Sequence, residues 1–152
     1  MKTRSIALLL VGSMATGLLL GMGGAAASAG TLSSNHSFFT SGVFQYEAYA
    51  TIRTAPSEVR GSASIKRVGA STPANYVGAN GRYFRASNNA MIAETGFRYN
   101  SSVIPDYLSM TVTTPVKVVS SGVDYYAWGV VKGSNSSSYA TYYTFKTVTQ
   151  RS

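Results

Sequence analysis

Five carboxylates, one imidazole and many hydroxyls make up the acid–base chemistry of this 152-residue chain. Glu47, Glu58, Glu94, Asp106 and Asp124 each stand alone in the sequence. A glycosidic cleft needs two carboxyl groups held at a fixed separation. Glu47 and Glu94 fall on runs that read as strands and could face each other across a cleft, whereas Glu58, with Arg60 close by, reads as a surface group. His36 lies in a small polar segment that offers no partner to fix its ring, so it reads as a solvated histidine and not as a general base. The serines lack a base, and Gly61-Ser62 and Gly133-Ser134 do not form a nucleophile elbow. Metal ligation wants clustered His, Cys or carboxylate groups. The absence of cysteine removes thiol catalysis, thiolate sites and disulfides. The expectation is a protein that is not an enzyme and carries no cofactor or metal.

The remaining chemistry belongs to side chains that stack and carry charge. Tyr49, Tyr126, Trp128 and Tyr142 fall on the polar side of alternating runs, together with Arg53, Lys66, Lys132 and Lys146. Aromatic rings interleaved with cations suit stacking on sugar rings and contact with anionic polymers. These eight residues are the candidate binding set. The cations are spread thinly, with Lys66-Arg67 the one adjacent pair, which argues against specific nucleic-acid recognition.

Residues 1–29 read as an export signal that precedes this chemistry. Lys2 and Arg4 give a positive start, Ile6 to Leu20 is apolar, and Ala27-Ser28-Ala29 supplies a small-residue cleavage site. No cysteine follows for lipid attachment, and cleavage leaves no transmembrane anchor. Two of the 13 Lys and Arg lie in this leader, so 11 remain against five acids, a net charge of about +6 on a secreted product. Residues 30–37 are small and polar and are expected to fray. Residues 38–152 are expected to form a single domain, large enough for a core held by burial and hydrogen bonding alone.

Two hairpins must position the candidate set. From Phe44 to Arg53 the residues Phe44, Tyr46, Ala48, Ala50 and Ile52 alternate with polar ones. After a turn at residues 54–57, Val59, Ala63 and Ile65 return on the same inner face, with Glu58, Arg60, Ser62, Ser64 and Lys66 outward. The second hairpin places Val123, Tyr125, Ala127 and Val131 opposite Asp124, Tyr126, Trp128 and Lys132. It turns at Gly133 to Ser138 and returns over Tyr139 to Val148, with Tyr143 and Phe145 opposite Tyr142, Thr144 and Lys146. The hairpins also align with each other, Tyr49 matching Trp128 and Ile65 matching Phe145, which raises the possibility of an internal repeat.

Between them, a loop over residues 69–80 leads to shorter runs at Arg82 to Ala86, Ala90 to Tyr99, Leu108 to Thr113 and Val116 to Val119, with Pro115 implying a bulge or an edge. No stretch has a period of 3.6. Seven to nine short strands with close-set turns predict an all-β fold, an antiparallel sandwich or barrel.

Asn75-Tyr76-Val77-Gly78-Ala79, Gly81-Arg82-Tyr83, Gly96-Phe97-Arg98-Tyr99-Asn100-Ser101-Ser102, Ser121-Gly122-Val123-Asp124-Tyr125-Tyr126 and Tyr139-Ala140-Thr141-Tyr142 follow in order. In these tokens the C-terminal half resembles a group of small secreted proteins of Gram-positive bacteria with Tyr-rich β-strands. The likeness implies export and a β fold; it supplies no catalytic residue. The expected function is a secreted domain binding an anionic cell-wall polymer or polysaccharide through an aromatic and basic sheet face. The alternatives are a bacteriocin-like cationic antagonist and a self-associating matrix protein.

Overall fold

The computed structural model describes residues 29–152, and the leader read at residues 1–29 lies, apart from Ala29, outside the described residues. The fold is all-β and antiparallel, two open layers with no closed barrel. Its spine is the pair β3 (Phe44–Ala55) and β4 (Glu58–Arg67), paired from Tyr46↔Arg67 to Ala55↔Glu58. One edge of β3 carries β1 (Gly30–Ser33) and β2 (Ser37–Ser41). The free edge of β4 carries β9 (Met110–Thr113) and β10 (Lys117–Val118), which Thr114-Pro115-Val116 separates.

The second layer is two four-stranded sheets laid end to end. One runs β13 (Tyr139–Tyr143), β12 (Val130–Ser134), β5 (Val77–Asn80), β8 (Arg98–Tyr99). The other runs β14 (Gln150–Arg151), β11 (Asp124–Ala127), β6 (Arg82–Arg85), β7 (Met91–Glu94). Every chain segment in one sheet continues into the corresponding place in the other. Among the described residues, fourteen strands therefore form eight passes, four in each layer.

Small residues explain the break. At one level the central passes carry Ala50, Gly61 and Ala63 in the first layer and Ala79, Gly81, Ala127 and Gly129 in the second, all buried. Packed sheets normally stand about 10 Å apart because side chains fill the gap. Here the backbones nearly touch. A Cβ on Gly81 would lie 2.5 Å from the Val112 carbonyl oxygen, one on Gly61 2.6 Å from that of Arg82, and one on Gly129 2.5 Å from the Ala63 Cβ. This waist divides the interior into two clusters. Phe39, Tyr46, Ile65, Val77 and Val131 fill one, and Ile52, Val59, Tyr83 and Tyr125 fill the other. Full burial of each such aliphatic side chain contributes about 1.5–3 kcal/mol.

Threonines satisfy the backbone where the ladder is interrupted. Gly61, Gly81 and Gly129 donate their N–H to the hydroxyls of Thr114, Thr95 and Thr144 at 3.1, 3.1 and 2.9 Å. The N–H groups of those threonines return to the glycine carbonyls at 2.9, 3.0 and 3.1 Å. Ala127 and Thr147 repeat the exchange at 2.9 and 3.0 Å. Replacing Thr144 by Val keeps the shape but strands the buried Gly129 N–H. The expected cost is about 1–3 kcal/mol, read as a lowered midpoint of urea unfolding.

Several expectations change. Residues 30–33 and Ser37 pair along β3, and Ser34 between them is buried with its hydroxyl accepting the Ala50 N–H at 3.0 Å. The run from Val123 to Lys132 keeps its face alternation but breaks at Trp128-Gly129, and the return strand ends at Tyr143. The expected loop at residues 69–80 contains β5, a central strand buried along its whole length. Ser62 and Ser64 do face outward but are little exposed, Ser64 being covered through its hydroxyl contact with Thr111 at 2.8 Å and Ser62 lying at the floor of a surface groove. The hairpin alignment fails at its end, since Ile65 is buried while its counterpart Phe145 is 56% exposed.

Candidate functional site

The eight candidate residues do not form one surface. Tyr49, Arg53 and Lys66 lie on the outer face of the first layer, whereas Tyr126, Trp128, Lys132 and Lys146 lie on the outer face of the second. Tyr142 belongs to neither face. Its register partner is the buried Val131, its ring stacks on Phe39 at 3.8 Å, and its hydroxyl donates to the Thr40 carbonyl at 2.9 Å. Tyr142 therefore seals the edge between the layers.

On the first layer the stacking surface is already occupied. His36, expected to be solvated, stacks on Tyr49 at 4.6 Å and hydrogen-bonds the Glu47 carboxylate, which also takes Lys66 Nζ at 3.4 Å. That arrangement uses one side of the Tyr49 ring and the Lys66 charge. Arg53 stands apart, near the opposite end of β3.

The second layer gathers rings and cations into a continuous face. Pleat alternation in β11, β12, β6 and β13 turns Tyr126, Trp128, Lys132, Arg82, Phe84, Tyr139 and Tyr143 outward together. Trp128 and Tyr143 lie 5.1 Å apart and tilted by 34°. Arg82 reaches between them, its guanidinium carbon 5.6 Å from the rings of Phe84 and Trp128 and 5.5 Å from that of Tyr143. Its Nε donates to the Trp128 carbonyl at 3.1 Å, while Nη2 is buried without a hydrogen-bond partner among the described residues. Burial holds the Arg82 pKa below its ordinary value, and the nearby Glu94 and Tyr143 partly oppose this.

Lys146 covers the other side, its Nζ 4.8 Å from Trp128 and 5.0 Å from Tyr126. It gets there because Thr144 and Thr147 both turn inward, so that the strand alternation no longer holds beyond Tyr143. Tyr126 itself is covered, packed on Phe84 at 5.3 Å, with its hydroxyl donating to Asn89 Oδ1 at 2.9 Å. A second group completes the face, with Lys132 Nζ 4.3 Å from Phe97 and Tyr99 5.2 Å from Tyr139. The acids here are few. Asp124 is bound by Arg151 at 2.9 Å, and that hydrogen bond holds its pKa low; Glu94 accepts from Asn80 at 3.0 Å.

Sequence reasoning missed Arg82, Phe97, Tyr99, Tyr139 and Tyr143. Alternation alone would have put Tyr143 on the Trp128 face had the pairing Val130↔Tyr143 been known, but register is a property of the pair. Cation–π contacts of this kind are worth about 0.5–2 kcal/mol each. They hold rings and cations together in fixed positions, with Tyr143 on this face 56% exposed. Among the described residues no group of three His, Asp or Glu side chains comes together to hold a metal ion. No protein-family model, curated protein or solved structure matches this chain.

Proposed function

We propose that this protein is a secreted, non-enzymatic β-domain that binds an anionic cell-wall polymer or polysaccharide through the outer face of the second layer. The observation that carries the reading is the Trp128–Tyr143 pair flanked by Arg82 and Lys146. Sugar rings stack on exposed aromatic surface through apolar C–H groups, and the cations packed over these rings supply positive charge for the acidic substituents of the same polymer. The exposed Tyr99 and Tyr139 extend the track beyond one sugar unit.

The test is co-sedimentation of residues 30–152 with purified cell walls at low and high salt, alongside polymer titrations followed by fluorescence. Trp128 is the only tryptophan, so its emission reports this face alone. The expected result is retention that weakens with salt, as screening requires for exposed charges, with a shift in Trp128 emission. Trp128→Ala and Tyr143→Ala should each lower affinity about ten-fold, the size of one ring stack. No retention at either salt removes the reading.

A further inference from the structure

The outer face of the first layer holds two arginines that the polymer-binding face does not use. Arg53 and Arg60 are direct cross-strand partners on β3 and β4. Opposed side chains on one face of an antiparallel pair sit about 5 Å apart at Cβ, and like charges there are destabilising. Most cations of the chain avoid that cost through a partner of their own. Lys66 has Glu47, Arg151 has Asp124, Arg67 lies over Phe44, Lys117 donates to the Ile92 carbonyl, and Arg82, Lys132 and Lys146 lie over rings. Arg53 and Arg60, like the separate Arg85 and Arg98, have no side-chain hydrogen-bond, ion-pair or ring partner among the described residues, and they are the two of these four that face each other across strands.

On one side the pair is bordered by hydroxyls. Thr31 flanks Arg53 on β1, and the next row across the sheet is Thr51, Ser62 and Thr113. Together with the two guanidinium groups they line a groove of about 280 Å³. Glu58 lies beside the arginines in an adjoining crevice, and among the described residues its carboxylate forms no ion pair with either. The groove therefore presents two permanent positive charges, up to ten guanidinium N–H donors and four hydroxyls, of which that of Thr51 also contacts Ser33 Oγ at 3.2 Å.

We infer that this groove is a second binding site, for a phosphate group, in which Arg53 and Arg60 clamp the oxyanion from two strands and Thr51, Ser62 and Thr113 donate to its remaining oxygens. Two planar guanidinium forks converge on a tetrahedral anion as no pair of lysines would. The bound anion converts the like-charge contact between β3 and β4 into an attraction. Because the groove is open along the sheet, it admits a phosphate that is free or one that is esterified within a chain.

The experiment is a titration of the 15N-labelled protein, residues 30–152, with inorganic phosphate and, separately, with a poly(glycerol phosphate) chain, against chloride at equal ionic strength. Saturable shifts confined to Arg53, Arg60, Thr51, Ser62 and Thr113, absent in chloride, are the expected result. Arg53→Gln and Arg60→Gln should each weaken binding at least ten-fold while the remaining spectrum stays in place. Tighter binding of the poly(glycerol phosphate) at the same residues assigns the esterified source, and equal or weaker binding assigns the free ion. Shifts spread over all the cations, no shifts, or shifts that survive both substitutions overturn the site. Trp128→Ala should leave the phosphate shifts intact, so failure here and failure of the polymer-binding face are read separately.

Discussion

Gly81→Ala is expected to destabilise the fold severely, although it adds one methyl group. Its Cβ would fall 2.5 Å from the Val112 carbonyl oxygen and 3.1 Å from that of Gly61, both backbone atoms of the facing layer. Neither can swing aside without separating the layers at the waist, where Gly81 also exchanges two hydrogen bonds with Thr95. Overpacking in a well-packed interior costs about 1–3 kcal/mol and occasionally more. A clash with backbone on two strands belongs at or above the top of that range, which consumes much of the 5–15 kcal/mol that holds a typical domain together. Gly78→Ala is the contrast. It lies three residues away in β5, and its Cβ would meet the Tyr99 ring at 2.8 Å, with the nearest backbone atom, the Arg98 carbonyl oxygen, farther off at 3.3 Å. Tyr99 is 41% exposed and can rotate outward, so the expected loss is small. Thermal unfolding of the two variants side by side measures the difference; equal losses would mean that the waist is not held by backbone contact.

The second large effect is alkaline unfolding. Burial pushes the phenols of Tyr46 and Tyr83 up from 10.0 to about 12. Below pH 10 both phenols keep their proton whether the chain is folded or not, and the stability of their burial is fully present. Between pH 10 and 12 the unfolded chain releases these protons while the folded chain keeps them, so stability falls as pH rises, by about 2–3 kcal/mol for each phenol. The loss is complete above the folded pKa. Denaturant midpoints from pH 8 to 12, with tyrosinate absorbance recorded in parallel, should show a steep fall over that window. Tyr83→Phe separates the contributions. The Tyr83 hydroxyl is buried with no hydrogen-bond partner among the described residues, whereas that of Tyr46 donates to the Ser134 carbonyl at 2.7 Å. Removing the unpartnered hydroxyl should leave stability at pH 7 unchanged or slightly higher and make the alkaline fall shallower by about half. An unchanged slope would mean that Tyr83 ionises without unfolding.

The long hairpin was legible because its inner face alternates without interruption from Tyr46 to Ile52, and the all-β class followed from many such runs. β5 was not legible. Val77-Gly78-Ala79-Asn80 has only Val77 as a strand former, and it is a central strand because its small side chains fit the waist between two layers. The same small residues broke the second layer into two sheets. Faces could be assigned within a run but not carried across the break, which is why Lys146 reached the Trp128 face while Tyr142 turned the other way. Alternation tells which residues share a side of one strand. It does not tell which layer that strand joins, so Tyr49 and Arg53 appeared to belong with Trp128 when they stand on the opposite side of the molecule.

The division of each outer pass into two pieces bears on how copies of this protein meet one another. A long unpaired strand edge is a template on which a second chain can add hydrogen bonds, and natural sheets blunt such edges with short strands and interruptions. Here the two long strands, of 12 and 10 residues, are covered on both sides. Every bordering strand, from β1 and β2 around to β13 and β14, is five residues or fewer. The edges change direction before a neighbour could zip along them. Such a perimeter resists strand-to-strand polymerisation, and it leaves the two broad outer faces as the surfaces through which this molecule meets its surroundings.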